Sequence, residues 1–228
     1  MDIAGKNFLV IGGSGALGQE MVSQLASGSA NVLATRHSQS KSIGNATHGV
    51  VELDLAENSS IASAATAIAQ TCPTLDGVIN CAGLVGFGTI ADTTSEQATR
   101  LMQVNHLGPA TLYSLLLPQL LHACEVNGEA LVVGINGVVA ERSFPGLSAY
   151  GESKIAASRH LAALAQEFRR VKLKTLDARP GHTETGLSQR AAFGVAPAFP
   201  EGMSAAHVVE TIISGIAAGK SELASTDF

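Results

Sequence analysis

Asn7-Phe8-Leu9-Val10-Ile11-Gly12-Gly13-Ser14-Gly15-Ala16-Leu17-Gly18 joins a run of strand-forming residues to a glycine-rich loop, and Met21, Val22 and Leu25 then mark the inner face of an amphipathic helix. Gly12, Gly15 and Gly18 fall at GxxGxxG spacing. Without side chains the backbone can turn sharply and approach a pyrophosphate, while the helix N-terminus offers free N–H donors and a partial positive charge. A glycine triplet by itself is equally a structural turn. Its place between a first strand and a first helix makes Gly12, Ser14, Gly15, Leu17 and Gly18 a candidate dinucleotide loop.

Outward from that unit, short strand-like runs alternate with longer helical periodicity. The candidate strands are Asn7–Ile11, Asn31–Thr35, Val50–Leu53, Gly77–Asn80, Ala130–Ile135, Lys174–Ala178 and Glu222–Ser225. The candidate helices are Ala16–Ser27, Ser59–Gln70, Ser95–Asn105, Leu107–Ala123, Ala149–Arg170 and Ala205–Ala218. That alternation predicts an α/β, doubly wound parallel sheet of about seven strands with helices on both faces. No linker composition divides the 228 residues, so a single Rossmann domain over 1–228 is expected.

Only 14% of residues are charged, 46% are apolar and the net charge is −5, with no basic stripe to follow a polynucleotide, so nucleic acid is not an expected partner. No apolar run approaches the roughly 18 to 20 residues of a membrane span. The N-terminus lacks the pattern of a secretory signal, so a cytoplasmic location is expected. Cys72, Cys81 and Cys124 are too scattered for a disulfide framework, and the histidines show no paired ligand spacing, so a metal site is not expected.

Two features carry chemistry. At the end of the second strand, where a carboxylate usually meets the ribose diol of NAD, the chain reads Ala34-Thr35-Arg36-His37. Arg36 can grip a 2′-phosphate in bidentate fashion, so NADP(H) is the expected cofactor. Tyr150-Gly151-Glu152-Ser153-Lys154 places a phenol and an ammonium four residues apart on one helix face. The expectation is that the Lys154 charge lowers the Tyr150 pKa and makes the phenol a proton donor at neutral pH.

These motifs, in this order, resemble the short-chain dehydrogenase/reductase family over nearly the whole chain. The resemblance implies that Asp54, with Leu55 beside it, contacts the adenine, and that Asn80-Cys81-Ala82-Gly83 is the family's Asn-Asn-Ala-Gly segment with Cys81 in the second position. It implies that Asn105 holds a water relay behind Lys154. Pro180-Gly181 with Thr183 and Thr185 would face the nicotinamide carboxamide. Residues 186–204 resemble the family's substrate lid, and the Leu107–Ala123 and Ala149–Arg170 helices match those through which relatives form a homodimer or homotetramer. The glycine loop departs slightly from the family's most familiar form, which has glycine at the positions of Gly12, Ala16 and Gly18.

The larger departure lies thirteen residues before Tyr150, where the family's catalytic serine is replaced by Gly137 in Gly134-Ile135-Asn136-Gly137-Val138. Losing one such oxyanion donor typically costs about 10²–10³ in rate. Asn136, Ser143 or His182 could supply a replacement donor, although strand alternation puts Asn136 on the face opposite Gly137. The implied activity is NADPH-dependent reduction of a ketone or aldehyde, with Tyr150 as proton donor and Lys154 and Asn105 in support. The alternative is a catalytically weak NADP(H)-binding sensor or partner subunit of the same fold.

Overall fold

The computed structural model describes residues 1–38 and 42–228. Among these, the strands are β1 (Asn7–Ile11), β2 (Asn31–Arg36), β3 (Val50–Glu52), β4 (Gly77–Asn80), β5 (Ala130–Ile135), β6 (Leu173–Ala178) and β7 (Glu222–Leu223). The helices are α1 (Ala16–Ser27), α2 (Asn58–Thr71), α3 (Ser95–Met102), α4 (Gly108–Asn127), α5 (Ser148–Glu167) and α6 (Ala205–Ala217). All seven strands are parallel, in the order β3-β2-β1-β4-β5-β6-β7. Parallel neighbours require crossovers, so helices cover both faces. The order reverses between β1 and β4, and such a switch point opens a crevice at the carboxyl ends of the strands.

The central strands β1 and β4 are almost wholly buried, as their continuous apolar runs require. On one face Ile61 and Ile68 of α2, Leu112, Leu116 and Leu120 of α4, and Leu161 and Leu164 of α5 cover Leu9, Ile11, Val78 and Val132. On the other, Met21, Val22 and Leu25 of α1 and Val208, Ile212 and Ile216 of α6 cover Phe8, Val10, Ile79 and Val133. Each such side chain, fully buried, contributes roughly 1.5–3 kcal/mol. Gly77 is needed in this packing because the Phe8 ring occupies the space where a Cβ would lie, 2.3 Å away.

Several boundaries differ from the sequence expectation, most by one residue, and α4 runs on to Asn127, four residues past the expected Ala123. β7 stops at Leu223 and gives way to a 3₁₀ turn at Ser225–Asp227. The predicted break between the third and fourth helices is absent: Gln103–Leu107 forms a π-helical turn that joins α3 to α4. Pro109 at the start of α4 supplies no N–H for an ordinary first turn, and the wider winding swings Asn105 into the interior, where it is 1% exposed. α5 ends at Glu167, three residues short of the expected end, and passes into a separate 3₁₀ turn at Arg169–Val171.

Candidate active site

A crevice of about 850 Å³ runs along the carboxyl edge of the sheet, bounded by the glycine loop, the ends of β2, β4 and β5, the start of α5 and the segment after β6. At one end lie Gly12, Ser14, Gly15 and Leu17, with Arg36, Asp54 and Leu55 beside them. Gly12 has φ +75°, and a Cβ there would lie 2.8 Å from the Ala82 backbone nitrogen. The loop is pinned from β2, with Gly13 N–H donating to Thr35 O at 2.8 Å and Gly12 N–H to Thr35 Oγ1 at 3.1 Å. Gly18 does not line the crevice. A Cβ on it would meet Gly12 O at 2.1 Å, so its work is the close seating of α1 under the loop.

Among the described residues no side chain caps the N-terminus of α1, as is also the case for α2, α4 and α5, whereas the first turns of α3 and α6 donate to Thr94 and Ser204. The first-turn N–H groups of α1 therefore remain available to an anion. Arg36 extends beside Glu52 at 3.5 Å while its Nε is buried without a hydrogen-bond partner. Asp54 accepts from Ala56 N–H at 2.9 Å and faces His37 at 3.4 Å. This donor set suits a dinucleotide with anionic phosphates.

Beyond β4, Ala82 and Gly83 form the crevice floor, and Asn80 sits behind them with its carbonyl accepting Ala82 N–H at 3.0 Å. Asn105 is also behind the wall. It accepts from Leu84 N–H at 2.8 Å and donates to Leu84 O at 2.8 Å and to Ser153 Oγ at 2.9 Å, and Ser153 donates in turn to Tyr150 O at 2.7 Å. Asn105 thus ties the loop after β4 to the first turn of α5. Gly83 leaves room for the cluster, since a Cβ there would stand 3.4 Å from Lys154 Nζ and 3.5 Å from Asn105 Oδ1.

Tyr150 and Lys154 both line the crevice, with Lys154 Nζ 6.0 Å from the Tyr150 ring centroid and donating to Ile135 O at 2.9 Å. The expected acidification of the phenol is not what the protein environment produces. Burial pushes Tyr150 up to about 12. Burial also pulls Lys154 down to about 8, with the Asp177 carboxylate opposing that drop. In a dry site the desolvation of each charged form outweighs the attraction between two groups at this separation.

The substrate end holds the corrections. Asn136 lines the crevice but is only 3% exposed, and its amide is engaged by Asp177 Oδ1 at 2.6 Å. Asp177 Oδ2 accepts from Ser158 Oγ at 2.6 Å and from Arg179 Nε and Nη2 at 2.9 and 2.7 Å, and Arg179 also reaches Glu222 at 3.0 Å. Ser143 is exposed and outside the crevice wall. Gly137 adopts φ +73°, ψ 168°, a region open essentially to glycine alone. His182 does line the crevice, stacked on Phe199 at 4.6 Å and facing Glu184 at 3.2 Å. Pro180, Gly181, Thr183 and Thr185 line it too.

Within 186–204, Ala192 N–H donates to Val85 O at 2.8 Å and Phe87 N–H to Phe193 O at 3.0 Å, which docks this segment on the loop after β4. Gly194 permits the approach, because a Cβ would lie 1.7 Å from Phe87 O. Sequence reading missed Arg142, Phe144, Leu147 and Phe87, all of which line the crevice. The signal available was positional: the chain between the end of β5 and Tyr150 must cross the crevice mouth, so its side chains were candidates as a group.

The family model for short chain dehydrogenases matches residues 6–193, and the chain belongs to that family. It is similar to dehydrogenase/reductase SDR family member 7B of Mus musculus, with 31% identity over 186 residues, covering 78% of this chain and 56% of the relative. It is also similar to short chain dehydrogenase pigC of Monascus ruber, with 30% identity over 201 residues, 82% of this chain and 65% of the relative. The chain thus spans between about half and two thirds of the length of these curated relatives. Among solved structures, a short chain dehydrogenase from Burkholderia cenocepacia in complex with NADP superposes with a TM-score of 0.83 at 21% identity, covering 98% of this chain and 89% of that one. A 3-ketoacyl-(acyl-carrier-protein) reductase from Brucella melitensis complexed with NADH gives 0.82 at 19%, covering 98% and 95%. These structural likenesses establish the fold. Among the described residues, no helix is long and apolar enough to cross a membrane.

Proposed function

We propose that the protein is an NADPH-dependent reductase of ketones or aldehydes. The observation that carries this reading is the convergence of Tyr150 and Lys154 on the same crevice as the glycine loop and Arg36. Gly12, Ser14, Gly15, Leu17, Ala82 and Gly83 would hold the dinucleotide backbone, Asp54 and Leu55 its adenine end, and Pro180, Gly181, Thr183 and Thr185 its nicotinamide end. Arg36, with its unpartnered Nε, favours a 2′-phosphate over a bare diol. When bound, the cofactor supplies a hydride to the carbonyl carbon.

Tyr150 protonates the carbonyl oxygen. A phenol pushed up to about 12 stays protonated across the neutral range, which suits a donor in reduction better than a base in alcohol oxidation. Lys154 is held in place by Ile135 O and retains its proton at neutral pH, so it favours the incipient phenolate once the proton has left. Asn105 fixes the start of α5 and stands beside Lys154 across Gly83, where it supports resupply of the proton. Residues 186–204 close the substrate end, and the exposed Leu107 at the end of the π-helical turn, Leu115 on α4 and Ile155 on α5 fit self-association as a homodimer or homotetramer.

The rebuilt strand end at Gly137 favours a second reading, a catalytically weak NADP(H)-binding sensor. Fluorescence titration with NADPH and NADH, followed by a carbonyl panel, separates the two. The reductase reading expects tighter NADPH binding and turnover that falls about 10²–10³-fold in Tyr150→Phe with NADPH binding retained. Undiminished turnover in that variant overturns the role given to Tyr150, and tight binding without turnover on any carbonyl establishes the sensor.

A further inference from the structure

Arg142 follows the turn after Gly137 and lines the crevice, with its guanidinium carbon 5.0 Å from the centroid of the Phe144 ring. Among the described residues it has no ion pair and no side-chain hydrogen bond. The other arginines around the crevice are engaged: Arg36 with Glu52, Arg190 with Gly186 O at 3.0 Å and Thr185 O at 3.2 Å. No carboxylate lines the substrate end of the crevice among the described residues. The nearby acids are committed elsewhere, since Glu141 accepts from Ser225 N–H at 2.8 Å and from its hydroxyl at 2.6 Å, while Glu184 faces His182 and accepts from Gly202 N–H at 2.9 Å. The crevice wall at this end includes Val139, Phe144, Leu147 and Phe199 together with the polar His182, Ser188, Arg190 and Ser225.

We infer that the substrate is an apolar carbonyl compound bearing an anionic group, a carboxylate or a phosphate, which Arg142 holds. Phe144 limits the guanidinium to one side of the crevice, so little rotamer freedom is lost when the anion arrives. Arg142 is exposed at the crevice mouth, so its pull on an anion is the salt-dependent one of a charge that water still reaches. The anion also anchors the substrate from a point away from the carbonyl, which lessens the need for the hydroxyl that Gly137 lacks: positioning by a remote ion pair substitutes for orientation by a hydrogen bond at the reacting oxygen.

This inference rests on the reductase reading, and the test distinguishes the two. NADPH oxidation is measured on matched pairs: aryl and alkyl keto acids against their methyl esters, and a keto phosphate against its dephosphorylated form. The wild type is expected to prefer the anionic member at least tenfold in kcat/KM, with the carboxylate and phosphate pairs showing which anion is taken. Arg142→Ala should remove that preference through a 10- to 100-fold rise in KM for the anionic member, with kcat and the neutral member changed less than threefold, and Arg142→Lys should restore part of it. Equal turnover of acid and ester by the wild type, or an equal loss on both in Arg142→Ala, overturns the substrate class while leaving the reductase reading standing. NADPH binding with no turnover of any pair overturns both.

Discussion

The two ends of the crevice differ in where their hydrogen-bond donors go. At the dinucleotide end, among the described residues, the first turn of α1 meets no side-chain cap and the Arg36 Nε has no hydrogen-bond partner. At the substrate end, the donors around the strand tips are committed internally. Asn136 N–H bonds to Ala178 O at 2.8 Å, Val138 N–H to Pro180 O at 2.9 Å, and the Asn136 amide to Asp177. The lesson is that Gly137 sits beside strand-end groups that already bond to one another: Asn136, Asp177, Ser158 and Arg179 form a closed network of hydrogen bonds and ion pairs. At one end the donors are left open to a ligand, whereas at the tips of β5 and β6 they hold two strand ends in register.

The largest effect that would sharpen this contrast is expected at Asp177, which is 6% exposed and accepts from three side chains. Asp177→Asn keeps the shape, leaves Arg179 only Glu222, and removes the charge that holds Lys154 up. Breaking a buried pair from one side costs about 3–5 kcal/mol, read as a drop in the denaturant midpoint at unchanged slope. In the same variant a carbon-13 titration of the lysine side chains should place Lys154 below about 8, its wild-type value. A stability change under ~1 kcal/mol would show that the network is not what holds the two strand ends together.

A middle-sized effect tests the electrostatics of the same end. The folded-state pKa of Lys154 is depressed from 10.5 to about 8, so between those values the unfolded chain binds more protons than the native one. Stability attributable to this group is therefore least below pH ~8 and rises as pH climbs toward 10.5, with a total on the order of 3 kcal/mol. Lys154→Met removes that dependence but also the bond to Ile135 O, so it should be the more stable protein at pH 7 by about 2 kcal/mol. Its advantage over the wild type should vanish by pH 10. Parallel stability curves for the two proteins would mean that Lys154 is not desolvated.

The contrast also explains what could be read from the sequence. The glycine loop, the strand alternation and the Tyr150/Lys154 pair are local patterns, fixed by spacings of two to six residues, and each fell where it was expected. Asn136 could be placed on the correct strand face by alternation, yet its partner Asp177 lies 41 residues away and only the pairing of β5 with β6 brings them together. The π-turn that buries Asn105 has no periodicity of its own. Ser143 is the loop residue a missing hydroxyl suggests, but which of two adjacent loop residues faces inward depends on the turn that starts at Gly137, and its φ of +73° leaves no mark in the sequence beyond the glycine.

That φ makes restoring the serine the most informative small perturbation. A Cβ at Gly137 would have room, its nearest neighbour being Pro180 O at 3.5 Å, so Gly137→Ser meets no steric wall. The penalty is in the backbone, because φ +73° with ψ 168° is a conformation that a residue with a side chain holds only at a cost of about 1–3 kcal/mol. The strand tip cannot relax freely to relieve it, since the Asn136 and Val138 N–H groups on either side are bonded to β6 and the segment after it. The expected outcome is a protein destabilised by about 1–2 kcal/mol whose kcat/KM on its best carbonyl changes less than threefold, because the new hydroxyl starts from a backbone set for a different direction. Stopped-flow turnover and denaturant melts of the same preparation measure both quantities. A gain approaching 10²-fold would mean that the strand end still has the family's geometry, and that the two ends of the crevice differ by one side chain rather than by a rebuilt network.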